Sequence, residues 1–264
     1  MTCPTEDAEE REPGTPSARA DAPRAALITG GSRGIGLAIA RRLAADGFAL
    51  TLSARTADSL ADAAAELRAA GASVTTVAAD AADPEALAAL LDWHARTHGR
   101  LDALVLNAGM GFGSPIDQTP LRRLDKHVAL NFRGAFALVS AALPLLRATA
   151  AVERRGTRVI ALASLAGLTP EPDLAVYSAT KAAIVSLCQS ICIEEASTGV
   201  SATALCPGYV DTDMAAWKHD MLAADEMIRP DDLAELAVSL TRLSRNAAVP
   251  TLPVYRAGGR LVGA

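Results

Sequence analysis

The sequence has few aromatic residues, no excess of basic residues and no long apolar run. Aromatic residues make up 3% of the 264 residues, and the formal net charge is −5. Proteins that bind nucleic acid or anionic membranes usually present a basic surface, so we expect neither kind of partner. A membrane-spanning helix needs roughly eighteen or more consecutive apolar residues, and since no such run occurs we expect no membrane span.

Cysteine and histidine are also scarce, and neither forms a metal-ligand pattern. The four cysteines are Cys3, Cys188, Cys192 and Cys206, and the four histidines are His94, His98, His127 and His219. No Cys-x-x-Cys pair occurs, and no histidine stands at metal-ligand spacing from a cysteine. We therefore expect reduced thiols, no bound metal, a cytoplasmic location and histidines that lie on the surface.

Residues 1–23 differ in composition from the remainder of the chain. They are rich in Glu, Asp, Pro, Ala and Arg, and they lack the apolar stretch that a secretory signal requires. Such a segment buries too little apolar surface to offset the entropy of ordering it. It is predicted to be a disordered tail that precedes a single domain over residues 24–264.

From Arg24 onward, short apolar runs alternate with longer segments of helical period. The predicted strands are 25–28, 49–52, 73–78, 103–106, 158–163, 201–205 and 252–254. The predicted helices are 35–46, 57–70, 84–97, 121–148, 177–196 and 230–244. Regular alternation of strand and helix indicates a parallel sheet with helices on both faces. Right-handed crossovers then predict an α/β fold with a doubly wound, Rossmann-like parallel sheet of seven strands.

The first predicted strand leads into a glycine-rich turn, Thr29-Gly30-Gly31-Ser32-Arg33-Gly34-Ile35-Gly36, and a helix follows it. Glycine allows a tight turn and a close approach of the backbone to a pyrophosphate. The start of the helix offers free N–H groups to the phosphates. The strand–turn–helix context favours a dinucleotide site over a turn that binds nothing.

This glycine spacing resembles that of the short-chain dehydrogenase/reductase family in its single-domain form. The resemblance extends from Arg24 to the end of the chain. It implies an oxidoreductase that moves a hydride between a nicotinamide cofactor and a carbonyl or secondary alcohol. The turn residues that it implies as cofactor ligands are Gly30, Ser32, Arg33, Gly34, Ile35 and Gly36.

The end of the second predicted strand indicates which nicotinamide cofactor binds. In dinucleotide folds an acidic residue there binds the ribose 2′-hydroxyl of NAD, whereas a nearby arginine suits the 2′-phosphate of NADP. This chain has Ala54 at the acidic position and Arg55 after it, and Arg33 supplies a second cation. We predict NADP(H), because guanidinium groups pair with phosphate and a carboxylate would repel it.

Two further strand ends match family motifs for the cofactor. Asp80, after the third strand, corresponds to an aspartate near the adenine. Asn107, Ala108 and Gly109, after the fourth strand, match an Asn-Ala-Gly motif, although Leu106 replaces a second asparagine that often precedes it. Asn-Ala-Gly is also a favourable turn sequence, so a purely structural role for this motif stays open.

The segment after the sixth strand, Pro207-Gly208-Tyr209-Val210-Asp211-Thr212, matches the family pattern Pro-Gly-x-Val-x-Thr. The resemblance implies that Pro207 and Gly208 contact the cofactor. It also implies that the Val210 backbone and the Thr212 hydroxyl bind the nicotinamide carboxamide and so fix which ring face receives the hydride.

Tyr177 and Lys181 are four residues apart in a predicted helix and therefore share one face. An ammonium group near a tyrosine favours the phenolate, which lowers the pKa from about 10 and lets the tyrosine act as an acid/base. Without context such a pair is ordinary helix surface. The resemblance assigns both catalysis and cofactor contact to this pair, with Lys181 reaching the nicotinamide ribose hydroxyls. It places Ser164 on the substrate oxygen and implies that Asn131 holds a water through its helix carbonyl. A structural role for a buried Asn131 is the alternative.

The substrate is predicted to be a small carbonyl compound or alcohol of apolar character. In the family the segment after Thr212 folds over the substrate, and here its large side chains are Met214, Trp217, His219, Met221 and Met227. Residues 168–174 lack the Gly-Asn-x-Gly-Gln-like pattern of acyl-carrier ketoreductases, and residues 255–260 depart from a common Asp-Gly-Gly ending. The first of these departures puts an acyl-carrier substrate in doubt.

Two other functions are alternatives to a carbonyl-reducing or alcohol-oxidising enzyme. A non-catalytic NADP(H)-binding sensor would be expected to lose Ser164, Tyr177 or Lys181, and all three are present. Lyases and enoyl reductases share the fold, but enoyl-reducing relatives space the tyrosine and lysine more widely.

The helix at 121–148 and the helix beginning at Tyr177 are more apolar than one sheet face requires, and the resemblance implies a homodimer or homotetramer through them.

Overall fold

The computed structural model describes residues 22–218 and 220–258, and its strands are all parallel. They are β1 (Ala25–Thr29), β2 (Ala49–Ala54), β3 (Val74–Ala78), β4 (Ala103–Leu106), β5 (Thr157–Leu162), β6 (Val200–Pro207) and β7 (Thr251–Val254). The sheet order is β3-β2-β1-β4-β5-β6-β7. The predicted doubly wound sheet of seven strands is confirmed, and its order reverses between β1 and β4.

Helices cover both faces of the sheet. They are α1 (Gly34–Ala45), α2 (Ala57–Ala69), α3 (Pro84–His98), α4 (Leu121–His127), α5 (Gly134–Val152), α6 (Ala175–Glu194) and α7 (Pro230–Arg242). Helices α1, α2 and α7 bury one core with the sheet, and α3, α5 and α6 bury the other. Successive strand residues face opposite sides, so Ile28 joins the first core and Leu27 the second. Because both faces are buried, the strands read as continuous apolar runs.

The long helix predicted over 121–148 is divided by a π-helical segment. Helix α4 continues into Val128–Arg133, which has π geometry, and then into α5. Asn131 lies in this π segment and is buried. Gly134 follows it, and a Cβ atom there would clash with the Ala81 carbonyl oxygen. A π segment inserts an extra residue into one helical turn, which hydrophobic periodicity does not reveal.

Two helical stretches, Leu121–Val152 and Ala175–Glu194, are long and apolar enough to cross a membrane by length and composition alone. No membrane span is predicted from the sequence. In the structure Leu138 and Leu146 on the first stretch, and Ile184 and Cys188 on the second, belong to one core beneath the sheet. Burial against the sheet therefore accounts for part of their apolar character.

Two histidines are buried, and the prediction that all four lie on the surface is wrong for these two. The His94 ring contacts the Thr51 hydroxyl at 2.8 Å and the Arg100 carbonyl oxygen at 3.0 Å. His127 is also buried, and its Nδ1 lies 2.8 Å from the Arg123 carbonyl oxygen. His94 lies on the buried face of α3, where the Thr51 hydroxyl on β2 provides the hydrogen-bonding partner that a buried imidazole requires. His98 is half-buried, and His219 lies outside the described residues.

A buried ion pair fixes the amino-terminal ends of β1 and β4. The Arg100 guanidinium lies 2.6 Å from the Asp102 carboxylate and 3.0 Å from that of Glu153. Asp102 also accepts a hydrogen bond from the Ala25 backbone N–H at 2.8 Å, and Arg100 donates to the Ala22 carbonyl at 2.8 Å. The predicted tail at residues 1–23 lies outside the described residues except for its last two. The Arg100–Asp102 pair stands at the opposite end of the strands from the site described below.

Candidate active site

The candidate site lies where β1, β4, β5 and β6 end, at the point where the sheet order reverses. Ligands of open α/β sheets bind in the crevice that such a reversal creates. Gly30 and Gly34 adopt positive φ angles of 63° and 54°, which explains the need for glycine in the turn. Helix α1 begins after Arg33 without a side-chain cap and without an acidic residue in its first turn. Its first N–H groups are therefore suited to a phosphate.

Asn107 joins the end of β4 to the glycine turn. Its Nδ2 donates to the carbonyl oxygens of Gly30 at 2.9 Å and Thr29 at 3.2 Å. The Thr29 hydroxyl accepts from the backbone N–H groups of Asn107 and Ala108 at 3.1 and 3.2 Å. A Cβ atom on Gly30 would lie 2.8 Å from the Asn107 side chain. The asparagine of the Asn-Ala-Gly motif therefore positions the turn, and its own amide is used in doing so.

The residues predicted to select the cofactor lie at the ends of β2 and β3. Ala54 ends β2, and Arg55 is exposed directly after it. Asp80 is exposed after β3 and accepts from the Ala82 backbone N–H at 2.9 Å. Arg33 pairs with the Asp213 carboxylate at 2.7 Å. The second predicted cation thus already has an anionic partner within the chain.

Ser164 and Tyr177 come together although they belong to different elements. Ser164 follows β5, and its Oγ accepts from the Ala166 backbone N–H at 3.2 Å and lies 3.5 Å from the Pro207 carbonyl oxygen. Tyr177 lies in the first turn of α6, and its side chain lies close enough to the Ser164 hydroxyl for the two to interact. Helix α6 approaches closely at Gly167, where a Cβ atom would lie 2.7 Å from the Lys181 backbone. Two hydroxyl groups are therefore held side by side above the sheet.

Lys181 is buried beneath Tyr177. Its Nζ donates to the Leu162 carbonyl oxygen at 2.6 Å and lies 5.7 Å from the centroid of the Tyr177 ring. A Cβ atom on Gly109 would lie 3.5 Å from this ammonium group, so the end of β4 is also near it. Burial lowers the pKa of Lys181 to about 8. The ammonium can therefore lose and regain a proton close to neutral pH.

Burial raises the pKa of Tyr177, and the interaction with the Ser164 hydroxyl opposes that effect only in part. The nearby Glu171 carboxylate raises it further. From the sequence, the ammonium of Lys181 is expected to lower this pKa. The structure differs because desolvation of the phenolate by burial is the largest effect on this pKa, and Ser164, not Lys181, is the group that lowers it. A tyrosine that keeps its proton is suited to act as a general acid.

Asn131 uses its side chain to fix the loop after β4. Its Oδ1 accepts from the Met110 backbone N–H at 2.8 Å, and its Nδ2 donates to the Met110 carbonyl oxygen at 2.9 Å. The same Nδ2 donates to the Thr180 hydroxyl at 3.1 Å, which in turn donates to the Tyr177 carbonyl oxygen at 2.8 Å. Thr180 was not singled out from the sequence. This chain of bonds connects Asn131 to the backbone that carries Tyr177.

The segment after β6 closes the other side of the site. Gly208 donates its backbone N–H to the Val254 carbonyl oxygen at 3.0 Å, and Val210 pairs with Ile228. The Thr212 methyl lies 3.4 Å from where a Cβ atom on Gly34 would be. Pro207, Gly208, Val210 and Thr212 all line the central cavity, together with Ile35 from the glycine turn. The motifs predicted after β1, β4, β5 and β6 therefore surround one space.

This active-site cavity has a volume of about 170 Å³ and reaches from Ile35 to the loop before α6. Its wall includes residues that the sequence analysis did not identify: Met110, Phe112, Glu171, Leu174 and Tyr209. They come from three separate loops, and no spacing rule connects those loops. Gly111 lies in the same wall, where a Cβ atom would be 3.6 Å from the Tyr177 ring.

Only part of the segment between Thr212 and Pro230, which is predicted to fold over the substrate, contacts the active-site cavity. Met214 lines the cavity and is itself 52% exposed. Met227 instead is buried, and Met221 is exposed and does not line the cavity. The side chain of Trp217 and the whole of His219 lie outside the described part of the structure. Of the methionines in this segment, Met214 is therefore the one that lines the cavity among the described residues, because the chain turns back into the fold at Met227, before α7.

Known proteins share this fold and these sequence features. The family model for short chain dehydrogenase matches residues 24–223. Oxidoreductase UcpA of Escherichia coli K12 is 38% identical over 196 residues, which cover 73% of this chain and 71% of that protein.

Solved structures agree with the sequence relatives. An alcohol dehydrogenase from the archaeon Thermococcus sibiricus, complexed with 5-hydroxy-NADP, has a TM-score of 0.82 at 29% identity and covers 90% of this chain and 99% of its own. A 3-ketoacyl-(acyl-carrier-protein) reductase from Brucella melitensis, complexed with NADH, has a TM-score of 0.79 at 27% identity and covers 90% and 98%. With the fold, the glycine turn and the cavity already described, these matches establish that the chain belongs to the short-chain dehydrogenase/reductase family of oxidoreductases.

Proposed function

We propose that the protein is an NADP(H)-dependent oxidoreductase that interconverts a carbonyl and a secondary alcohol, with Tyr177 as the acid/base. The observation that carries this proposal is that the Tyr177 and Ser164 side chains meet in the wall of one active-site cavity. Two hydroxyl groups that face one cavity can both donate to a single carbonyl oxygen. Hydrogen bonds to a ketone oxygen bound there would polarise the carbonyl group and stabilise the negative charge that develops on that oxygen.

The glycine turn fits a dinucleotide. The uncapped start of α1 offers backbone N–H groups, and the crowding between Gly30 and Asn107 leaves room for glycine alone. When bound, a nicotinamide cofactor supplies the hydride in reduction and accepts it in oxidation. The residues predicted to hold it are those of the turn, Asp80, the end of β4 and the segment after β6.

Each catalytic side chain then has a defined task. Ser164 donates to the substrate oxygen and stabilises the negative charge that grows on it. Tyr177 holds its proton because burial raises its pKa, and it delivers that proton to the same oxygen. Lys181, with a pKa of about 8, is buried next to Tyr177 and can return a proton to it at near-neutral pH. Asn131 fixes the position of the Met110 loop relative to the first turn of α6, because its side chain forms hydrogen bonds to both Met110 and Thr180.

The preference for NADP(H) rests on the end of β2. Arg55 is exposed there, and the preceding residue is Ala54 rather than a carboxylate. A guanidinium in this place suits a 2′-phosphate, and the lack of an acidic residue removes the usual ligand of the NAD ribose. The similar structures named above carry a derivative of NADP in one case and NADH in the other, so this preference is argued from the residues of this chain.

A screen of ketones with NADPH, followed by the absorbance of the reduced cofactor, tests the proposal. We expect cofactor consumption with at least one class of ketone, formation of the secondary alcohol, and a much slower reaction with NADH. The Tyr177→Phe variant is the matched control, because it keeps the ring but lacks the proton. Equal consumption by that variant, with cofactor still bound, would refute the proposal.

We also propose that the protein assembles as a homodimer or homotetramer through α4, α5 and α6. Phe136 on α5 is 51% exposed and Ile193 on α6 is 78% exposed, and Val128 lies beside α5 with 37% exposure. Large apolar side chains on two long helices are typical of a surface that a second protein subunit covers.

A further inference from the structure

Glu171 is the one carboxylate among the described residues that line the active-site cavity. The surrounding wall is apolar at Phe112, Leu174 and Met214. A carboxylate that loses water in such surroundings needs hydrogen-bonding partners to offset the cost of desolvation. The Tyr209 hydroxyl provides one, because it donates to Glu171 Oε2 at 2.7 Å.

The backbone around Glu171 holds the carboxylate in place. Glu171 stands between Pro170 and Pro172, so both neighbours have a fixed φ angle and Glu171 itself is restricted to extended conformations. Its carbonyl oxygen accepts from the Leu174 backbone N–H at 3.2 Å. Asp173 has a positive φ of 64°, and its backbone carbonyl oxygen accepts a hydrogen bond from the Ser114 backbone N–H at 2.7 Å. This bond connects the loop to the opposite wall of the cavity. The loop is therefore ordered before any ligand arrives.

The charge of Glu171 reaches the reacting groups and is only partly balanced. It contributes to the raised pKa of Tyr177, after burial. The Lys218 ammonium lies over the Tyr209 ring, 5.0 Å from its centroid, and Lys218 is not among the residues that line the cavity. Lys181 also lines the cavity, but its ammonium donates to the Leu162 carbonyl. A ligand in the cavity therefore meets a negative charge on the side of the loop before α6.

We propose that Glu171 selects substrates that carry a hydrogen-bond donor, a hydroxyl or an ammonium, at the end remote from the carbonyl, and that it rejects substrates with a carboxylate there. An ionised carboxylate has about four acceptor sites, and Tyr209 occupies one of them. The remaining sites can accept hydrogen bonds from a ligand. A carboxylate on the substrate would be repelled by the Glu171 carboxylate, because no water would lie between the two groups to screen their charges. This inference rests on the proposed function, since it assumes that the cavity binds a ketone, and it refines the apolar substrate predicted from the sequence.

The test uses four acetophenones of matched size, with ethyl, hydroxymethyl, aminomethyl or carboxylate at the para position. Dissociation constants are measured by calorimetry on the full chain saturated with NADP⁺, in the wild type and in Glu171→Gln. We expect the wild type to bind the aminomethyl ketone at least about tenfold more tightly than the carboxylate, the scale of one hydrogen bond to a charged group. Glu171→Gln should reduce that ratio by about tenfold or more and leave the ethyl ketone within about twofold.

Tyr209→Phe is the matched control, because it removes the hydrogen bond to Glu171 and keeps the carboxylate. It should preserve the order aminomethyl, ethyl, carboxylate. If Glu171→Gln shifts all four ketones alike, or if Tyr209→Phe abolishes the order as fully as Glu171→Gln does, Glu171 is a loop anchor and the proposal is overturned.

The wild-type protein alone also decides the question. Equal affinity for the aminomethyl and carboxylate ketones, or binding of none of the four, overturns the selection by Glu171 without any variant. Because binding is measured without turnover, a failure of every ketone to oxidise NADPH would count against the proposed function and not against this binding order.

Discussion

The Arg33 guanidinium lies 2.7 Å from the Asp213 carboxylate, so an ion pair joins the glycine turn to the segment after β6. Both side chains are about three-quarters exposed, at 74% and 76%. Nearby, the Thr212 methyl approaches the turn at Gly34. In this structure Arg33 is therefore paired within the chain, while the sequence predicts that it binds the 2′-phosphate of the cofactor.

This pairing predicts a competition for Arg33. Asp213→Asn should free the guanidinium and lower the dissociation constant for NADPH, by up to about fivefold, since exposed ion pairs contribute about 0–1 kcal/mol. The dissociation constant for NADH should change little, because NADH lacks the phosphate. Fluorescence titration with both cofactors measures the effect. An unchanged NADPH affinity in Asp213→Asn, together with an unchanged affinity in Arg33→Ala, would show that Arg33 plays no part in cofactor binding.

Arg55 is predicted to carry most of the discrimination between the two cofactors. Arg55→Ala removes a charge-assisted contact to phosphate, which contributes about 1.5–3 kcal/mol, so NADPH binding should weaken about tenfold or more. Ala54→Asp should add repulsion at the same place and turn the preference toward NADH. The measurement is kcat/KM for each cofactor at one ketone concentration. A wild-type enzyme that uses NADH as efficiently as NADPH would make this interpretation of the β2 end wrong.

The catalytic side chains should fail in different ways. Tyr177→Phe should lower kcat by about 10²-fold or more, the scale of general acid catalysis, with cofactor affinity retained. Ser164→Ala should lower kcat in the same manner, because Ser164 meets only the substrate oxygen. Lys181→Ala should lower both kcat and cofactor affinity, because the lysine is also predicted to bind the nicotinamide ribose. Stopped-flow turnover and a separate cofactor titration distinguish the three variants.

The direction of reaction should respond to pH through Tyr177. Its pKa is raised, so the neutral phenol that reduction needs is present across the neutral range. Oxidation needs the phenolate, whose fraction grows as pH rises toward that pKa. We expect the oxidative rate to increase with pH and the reductive rate to stay level until the tyrosine begins to ionise. A pH profile of both directions at saturating cofactor tests this, and an oxidative rate that falls with rising pH would contradict it.

His94 should make the fold sensitive to acid. Burial lowers its pKa from the ordinary 6.5 to about 3, so between these values the unfolded chain binds more protons than the folded one. Stability should therefore fall as pH drops below about 6.5, by up to about 1.4 kcal/mol per pH unit from this group. His94→Gln keeps a donor and an acceptor but cannot titrate. Its melting temperature should decline less than that of the wild type between about pH 7 and about pH 5, and parallel declines would exclude His94 as the cause.

The proposed assembly can be tested at the apolar face of α5. Light scattering should report a dimer or tetramer at micromolar concentration, and Phe136→Glu should shift it toward the monomer. Circular dichroism should be unchanged, because Phe136 is 51% exposed and contributes little to the core. Asp125→Asn, a change on the neighbouring helix α4 that adds no apolar or charged group, is the control. A monomeric wild type would end this proposal.

The sequence by itself determined the strands and the fold, and it predicted the four candidate catalytic positions. Each strand of a sheet buried on both faces is a short apolar run, and the glycine spacing follows from turn geometry at one point of the chain. Ser164, Tyr177 and Lys181 could be identified because each stands at a strand end or at a fixed helical spacing. Local rules describe such features, so they can be predicted without tertiary contacts.

Only the tertiary structure decided where long-range partners meet. His94 on α3 is buried where Thr51 on β2 provides its hydrogen-bonding partner, and the pKa of Tyr177 is raised because burial removes water from its hydroxyl. Glu171 is held in the cavity wall because the Tyr209 hydroxyl, far along the chain, donates a hydrogen bond to its carboxylate. Burial and desolvation depend on elements that are distant in sequence, and no spacing within one segment encodes them.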